Sequence, residues 1–434
     1  MAFLERCALI ITLLIFSSSL FSQETLILSR EESENLFLKE NLLLLAEKLE
    51  IDQAEAQLLQ AKLWPNPTLE IDEVNLWATQ RQIDILSDEL PSFGSGSFGK
   101  HQQFAASFEQ LILTAGKRKK LMAIEEVSVE KSKQYFEDLL RSLKLEFRSQ
   151  LTELQYLQLK HQVYQNQVAS IAQLTRAYKN QLDQGHIAKG EYVRLKALEL
   201  EIKKEIRELN KEINEVQKEL KLLMRLPAST ELKISDEGFL RTPEAISLAS
   251  LQDFIKTAKE SRPDYQLAVL EEEYLNNRYR YERASRIPDI SLKVGYDRGG
   301  NILYDFVGFG LAIDLPIFDR NQGNIKSAQF AVDQSKLMSA QKALEIENDI
   351  VLAYNNLIDA IAFVDEIEPD YESDLDLLLE SYTRNFTQRN ISLLEYLDFF
   401  EAYLENKEII LEANKEVNNL VEELNFAIGS DLIN

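Results

Sequence analysis

Ile290-Ser291-Leu292-Lys293-Val294-Gly295-Tyr296-Asp297 steps between an apolar and a small or polar residue at every position. A period of two belongs to a strand whose faces meet unlike surroundings. Just downstream, Val307, Phe309, Leu311, Ile313 and Leu315 alternate with Phe306, Gly308, Gly310, Ala312 and Asp314. The pattern predicts strands over 289–297 and 304–317, joined by a loop over 298–303. Apolar residues opposite small or polar ones over about ten positions mark a transmembrane β-barrel strand. A half-buried strand of a soluble sheet alternates in the same way.

The flanks separate the two readings. Periodicity predicts helices over 251–286, 324–388 and 392–428 around this strand pair. Earlier, no proline or glycine interrupts Lys117 to Leu182, and a helix over 117–182 would run roughly 100 Å. Helices of that length do not alternate with strands as the units of a soluble parallel sheet do. With only 14 Gly and 9 Pro in 434 residues, the composition is that of long helices.

The layout also occurs twice. Pro67-Thr68-Leu69-Glu70-Ile71 parallels Pro288-Asp289-Ile290-Ser291-Leu292, and Gly185 to Tyr192 is echoed by Arg389 to Tyr396. The first copy, 23–226, reads as helix 24–63, strand 68–77, loop 78–99, strand 101–113, helix 117–182 and helix 191–226, with Gly185 and Gly190 breaking the last two apart. A mixed linker over 227–250, with a short strand at Glu231-Leu232-Lys233-Ile234, leads to the second copy over 251–429 and a tail over 430–434. Two copies of so large a unit point to an internal duplication. Pro369 predicts a kink in the second long helix.

Four strands cannot close a barrel, since single-chain membrane barrels start at about eight. Open edges are not tolerated in hydrocarbon. Several chains must therefore share one wall. Residues 1–22 read as a secretory signal, with Arg6, an apolar run from Cys7 to Phe16 and a small-residue end cleaved after Ser22 or Ser19. Cys7 is the only cysteine, so the mature chain has no disulfide framework or thiolate site. A formal charge of −24 argues against nucleic acid as a ligand.

Trp64-Pro65-Asn66-Pro67-Thr68-Leu69, Glu73-Val74-Asn75, Gln110-Leu111, Ala115-Gly116-Lys117-Arg118 and Leu315-Pro316-Ile317-Phe318-Asp319-Arg320-Asn321-Gln322-Gly323-Asn324 occur in an order that resembles the TolC family of outer-membrane efflux channels. The resemblance covers residues 24–429 and is nearest to the CzcC/CusC-like members that serve heavy-metal resistance-nodulation-division (RND) pumps. It implies a mainly α fold with a transmembrane β-barrel portion. In that fold a homotrimer gives four strands per chain to a 12-stranded barrel, continuous with a long periplasmic α-helical barrel. The implied role is a passive exit duct in the cell outer membrane, surrounded by its lipid and reaching into the periplasm. It would meet a periplasmic adaptor and an inner-membrane RND pump, with heavy-metal cations as cargo. A channel for drugs or secreted proteins, or a periplasmic coiled-coil scaffold without a pore, are the alternatives.

No catalytic constellation is visible, so the chain does not read as an enzyme, and the resemblance implies no cofactor or resident metal. His101, His161 and His186 have no metal-ligand spacing. By the resemblance, Gly185, His186, Ile187, Arg389, Asn390 and Ile391 are adaptor-contact hairpin tips. Arg389 stands where the family usually has glycine. Glu395 and Asp398, with Glu191 in the first copy, match the periplasmic gate carboxylates. Ordinary helix breaks and helix-surface acids account for the same residues. Trp77, Tyr296 and Tyr304 are candidates for an interfacial aromatic girdle.

Overall fold

The computed structural model describes residues 25–75, 103–235, 239, 250–298 and 306–432. The signal segment, Trp77, His101, Tyr304 and both strand-connecting loops lie outside the described residues. The elements are β1 (Thr25–Leu28), α1 (Arg30–Glu40), α2 (Leu42–Lys62), β2 (Thr68–Asn75), β3 (Gln103–Ile112), α3 (Lys117–Asp183), α4 (Lys189–Leu223) and β4 (Glu231–Ile234). They continue as α5 (Leu251–Ser261), α6 (Pro263–Ser285), β5 (Ile290–Arg298), β6 (Phe306–Ile313), α7 (Gln322–Asp365), α8 (Tyr371–Thr387) and α9 (Leu393–Ile428).

Three expected helices are each split, for local reasons. The run over 24–63 begins instead as β1, which pairs in parallel with β4. Asn41 then divides the rest. Its side chain accepts from the N–H groups of Leu43 and Leu44 and donates to the Leu223 carbonyl, so it caps α2 rather than continuing α1. The run over 251–286 breaks at Arg262, whose ψ of 119° is the extended conformation that a following proline imposes. Pro263 then opens α6 at the position where its missing N–H costs nothing. Pro369 ends the second long helix outright: α7 stops at Asp365 and α8 starts at Tyr371, a break where a kink was expected. Strand 304–317 is shorter than its pattern, ending at Ile313 before Pro316. Gly190 breaks nothing, since it lies within α4.

The chain forms two units, each drawing on both copies of the repeat. One spans 49–134 and 267–342 and holds the antiparallel sheet β2-β3-β5-β6. Its register puts Leu69 beside Phe108, Phe108 beside Val294 and Val294 beside Phe309. One face is therefore apolar across all four strands. Phe309 is 84% exposed there and Leu311 63%. The opposite face carries Glu70, Ser107, Lys293, Gly295, Gly308 and Gly310, with Lys293 pairing to Glu70 at 3.5 Å. The strand ends are tied to the helices. Thr114 donates from its N–H to Asp289 Oδ1 at 2.8 Å, and Lys117 pairs with the same oxygen at 2.8 Å. Asn321, at φ 58°, donates to the Glu282 carbonyl and carboxylate. The Asp319-to-Asn324 motif thus ties the entrance of α7 to α6.

The other unit, up to residue 48 with 135–266 and 343 onward, is helical apart from β1 and β4. Its helices bury distinct apolar clusters. One joins Phe254 and Ala258 of α5 to Ile346 and Ile350 of α7 and Val421 and Leu424 of α9. A second gathers Ile171 and Leu174 of α3, Leu195 and Leu198 of α4, and Phe386, Tyr396 and Phe400 of α8 and α9. A third packs Phe37 of α1 on Phe147 and Leu151 of α3 and on Leu220 of α4.

Candidate functional site at the hairpin turns

Both hairpin turns are closed by the same backbone device. In the first, the His186 N–H donates to the Gln181 carbonyl at 2.9 Å and the Gly185 N–H to Leu182 at 2.9 Å. In the second, the Asn390 N–H donates to Asn385 at 2.9 Å and the Arg389 N–H to Phe386 at 3.0 Å. These paired bonds are the Schellman closure, which needs one left-handed residue. Gly185 supplies it at φ 77° and Arg389 at φ 65°.

An arginine in that conformation carries strain of about 1–2 kcal/mol that a glycine lacks. Its side chain has a compensating partner: Arg389 Nη2 donates to Gln181 Oε1 at 2.7 Å, linking the two turns. Gln181 is the residue sequence reasoning missed, and nothing in its spacing distinguishes it. Two substitutions should separate strain from contact. Gly185→Ala meets no atom within 4 Å, so its cost should be the conformational one alone, about 1 kcal/mol. Arg389→Gly should change stability by less than that, since relief of strain opposes the lost bond. Thermal melting of the two variants in detergent reads the difference, and equal losses would contradict this account.

After the turns the helices start differently. Ala188 at the head of α4 has no capping side chain. Ser392 heads α9 with a full capping box: its Oγ accepts from the Glu395 N–H at 3.3 Å, while Glu395 Oε2 accepts from the Ser392 N–H at 2.7 Å. The Ser392 backbone N–H, then its hydroxyl, hold the Glu395 carboxyl below the usual glutamate range. Glu395 and Asp398 are exposed and Glu191 is half-exposed. Glu395 and Asp398 share one face of α9 at helical spacing. Tyr178 lies between the two turns electrostatically: burial raises its phenol's pKa, the Glu191 charge raises it further and Arg389 opposes.

His186 and Asn390 are exposed, and Ile187 is half-buried. Asn390 donates to Asn385 Oδ1 at 3.1 Å and to Gln388 Oε1 at 3.2 Å. Ile391 packs on the second apolar cluster. Beneath the turns the rings stack, Tyr178 on Phe386 at 5.3 Å and Phe386 on Tyr396 at 4.6 Å. Tyr382 stacks on Phe399 at 4.1 Å. The spacing of Tyr382, Phe386, Tyr396, Phe399 and Phe400 could have revealed this stack from sequence. Farther from the turns, Lys407 is buried and holds Glu372 and Asp376 of α8, each at 2.9 Å. The two turns are thus presented on a rigid base. Among the described residues, no three histidine, cysteine or carboxylate groups converge as a metal site. No helix among the described residues is long and apolar enough to cross a membrane.

Residues 254–429 match the family model described as "Outer membrane efflux protein". A curated relative, the cobalt-zinc-cadmium resistance protein CzcC of Cupriavidus metallidurans, is 26% identical over 117 residues. That match spans 27% of this chain and 28% of the relative. A crystal structure of CusC, reported to form a transmembrane channel, superposes with a TM-score of 0.70 at 18% identity, covering 94% of each chain. The CmeC outer membrane channel of Campylobacter jejuni gives a TM-score of 0.72 at 16% identity, over 92% of this chain and 85% of that one. The fold is that of these channels.

Proposed function

We propose that this chain, whose residues 254–429 match the outer membrane efflux protein family, is the outer-membrane exit duct of a tripartite efflux assembly. The observation that carries the reading is the β2-β3-β5-β6 sheet, apolar and exposed on one face, small and polar on the other. In hydrocarbon its edge strands, β2 and β6, need partners. Three copies would supply twelve strands with the polar face inward, and the apolar face would meet lipid. Solutes then pass through without chemistry, and the energy comes from an inner-membrane RND pump through a periplasmic adaptor that meets the hairpin turns. Heat-resistant trimers in outer-membrane fractions, together with discrete conductance steps in planar bilayers, are the expected results. A folded, detergent-free monomer would contradict the proposal.

Heavy-metal cations are the proposed cargo, supported by the match to CzcC. In a trimer, Glu395 and Asp398 would form a ring of carboxylates that concentrates cations at the periplasmic mouth. Glu395→Gln with Asp398→Asn tests this cleanly. Glutamine at the third helical position preserves a capping box, so the charge changes while the helix start does not. Block by trivalent cations should be lost and single-channel conductance should change; an unaltered block would place the ring elsewhere. The sign of the pH dependence follows from the lowered Glu395 value. The charge should persist on acidification past the ordinary glutamate midpoint of about 4.3. It should be lost only as pH falls through the lower folded value, taking the block with it.

A further inference from the structure

The cations of this acidic chain are unevenly placed. Where the four strands hand over to helices, four short stretches carry positive charge: Lys62, Lys117 to Lys120, Arg278 to Arg286, and Arg320 to Lys326. The register brings these stretches to one end of the sheet, since Thr68 lies by Glu109, Ile112 by Ile290 and Ile290 by Ile313. Hydrogen bonds join them further. Arg118 donates to the Lys62 carbonyl at 2.6 Å, and Gln110 donates to the Pro65 carbonyl at 3.0 Å.

Lys62, Lys119, Arg278, Arg286, Arg320 and Lys326 are all exposed. Among the described residues none of the six makes an ion pair, whereas Lys117, Lys131, Lys133, Lys293 and Lys336 of the same unit each pair with a carboxylate. Directly beside them stand exposed apolar side chains. Phe318 is 92% exposed and Leu315 73%, with Trp64, Ile287 and Ile317 half or more exposed. Arg118 lies over the Trp64 ring at 4.3 Å. Apart from Gln110, which lies beside Leu292, the apolar face of the sheet continues toward this collar.

We propose that this collar is a binding surface for anionic phospholipid, engaging headgroup phosphates of the leaflet where the strands meet the helices. The inference rests on the outer-membrane reading above and adds a lipid preference to it. Unpaired cations in a chain of net charge −24, set at the rim of a lipid-facing sheet, are placed where an anionic headgroup neutralises them. Trp64 and Phe318 would lie at the headgroup level, as amphipathic and aromatic residues do. A protein partner would need to cover the same rim that the sheet presents to lipid.

The chain holds two tryptophans, so Trp77→Phe leaves Trp64 as a fluorescent reporter within the collar. The full chain carrying that substitution is reconstituted in phosphatidylcholine vesicles with a minor fraction of acyl-brominated lipid. Brominated phosphatidylglycerol should quench Trp64 roughly fivefold more than brominated phosphatidylcholine at equal mole fraction. Raising ionic strength should shrink that preference. Adding Lys119→Gln, Arg286→Gln and Arg320→Gln should abolish it while quenching by phosphatidylcholine persists. Should the triple variant fail to assemble, the salt dependence of the single-reporter protein decides alone. Equal quenching by the two lipids, or none by either, in vesicles that still conduct would overturn the lipid proposal and leave the channel reading intact. Failure to insert or conduct at all would overturn both.

Discussion

Arg148→Met should be among the most destabilising single changes in the helical unit, costing about 3–5 kcal/mol. Arg148 on α3 donates to Glu34 at 2.7 Å, to Glu422 at 2.9 Å and to Asp431 at 2.8 Å. It thereby fastens α1, α3, α9 and the segment after α9 with one guanidinium. Burial opposes the charged form, yet Asp431 and Glu34 hydrogen bonds and the Glu422 charge hold the arginine firmly protonated. Glu422 is the vulnerable partner, being 3% exposed. Methionine fills similar volume but removes the 2.9 Å guanidinium bond from that buried carboxylate, while Arg30 stands off at 4.0 Å. Chemical denaturation in detergent checks the magnitude. The pH dependence gives a second readout. Burial works against ionisation of Asp431, but Arg148 overrides it and keeps its carboxyl below the usual aspartate range. A depressed carboxylate stabilises above its unfolded value, and the contribution disappears as pH falls through the folded one. Acid therefore removes stability from the wild type. In the variant Asp431 has lost its Arg148 partner, so that acid-sensitive contribution is already absent. The gap between the two proteins should narrow on acidification; a gap that widens would refute the account.

The strand pairs were legible because period-two alternation survives in any surroundings, and Ile290 to Asp297 keeps it without a fault. Helix existence was equally plain, but helix continuity was not. Leucine spacing through 36–58 looks unbroken, and only the three-dimensional neighbour of Asn41, the Leu223 carbonyl, shows why the chain turns there. Thr25–Leu28 became a strand because Glu231–Ile234 lies alongside, a long-range pairing that local propensity does not contain. Pro263 and Pro369 could have been read more strictly. At the turns, the echo between the two copies located Gly185 and Arg389, whereas Gln181 emerged only from the contact that offsets Arg389's conformation. The capping role of Glu395 was present in Ser392-Leu393-Leu394-Glu395 all along. That carboxylate caps the helix and is still exposed.

Phe309→Arg should prevent assembly where Ala312→Arg does not. The two positions lie three residues apart on β6, so they sit on opposite faces of the sheet. Phe309 stands beside Val294 on the apolar face; Ala312 stands beside Ser291 on the small, polar one. An arginine facing lipid near the middle of the bilayer costs about 2–4 kcal/mol. In a symmetric trimer that cost falls three times on one barrel, which is comparable to the whole stability of an ordinary domain. An arginine facing the lumen stays hydrated and adds only a local charge. Heat-resistant oligomer in the outer-membrane fraction should therefore vanish for Phe309→Arg and persist for Ala312→Arg, with altered ion selectivity in the latter. Because both variants add the same side chain to the same strand, backbone propensity and net charge cancel between them. What remains is which face meets hydrocarbon. Loss of oligomer in both, or in Ala312→Arg alone, would mean that the apolar face is covered by protein and that the sheet does not line a channel.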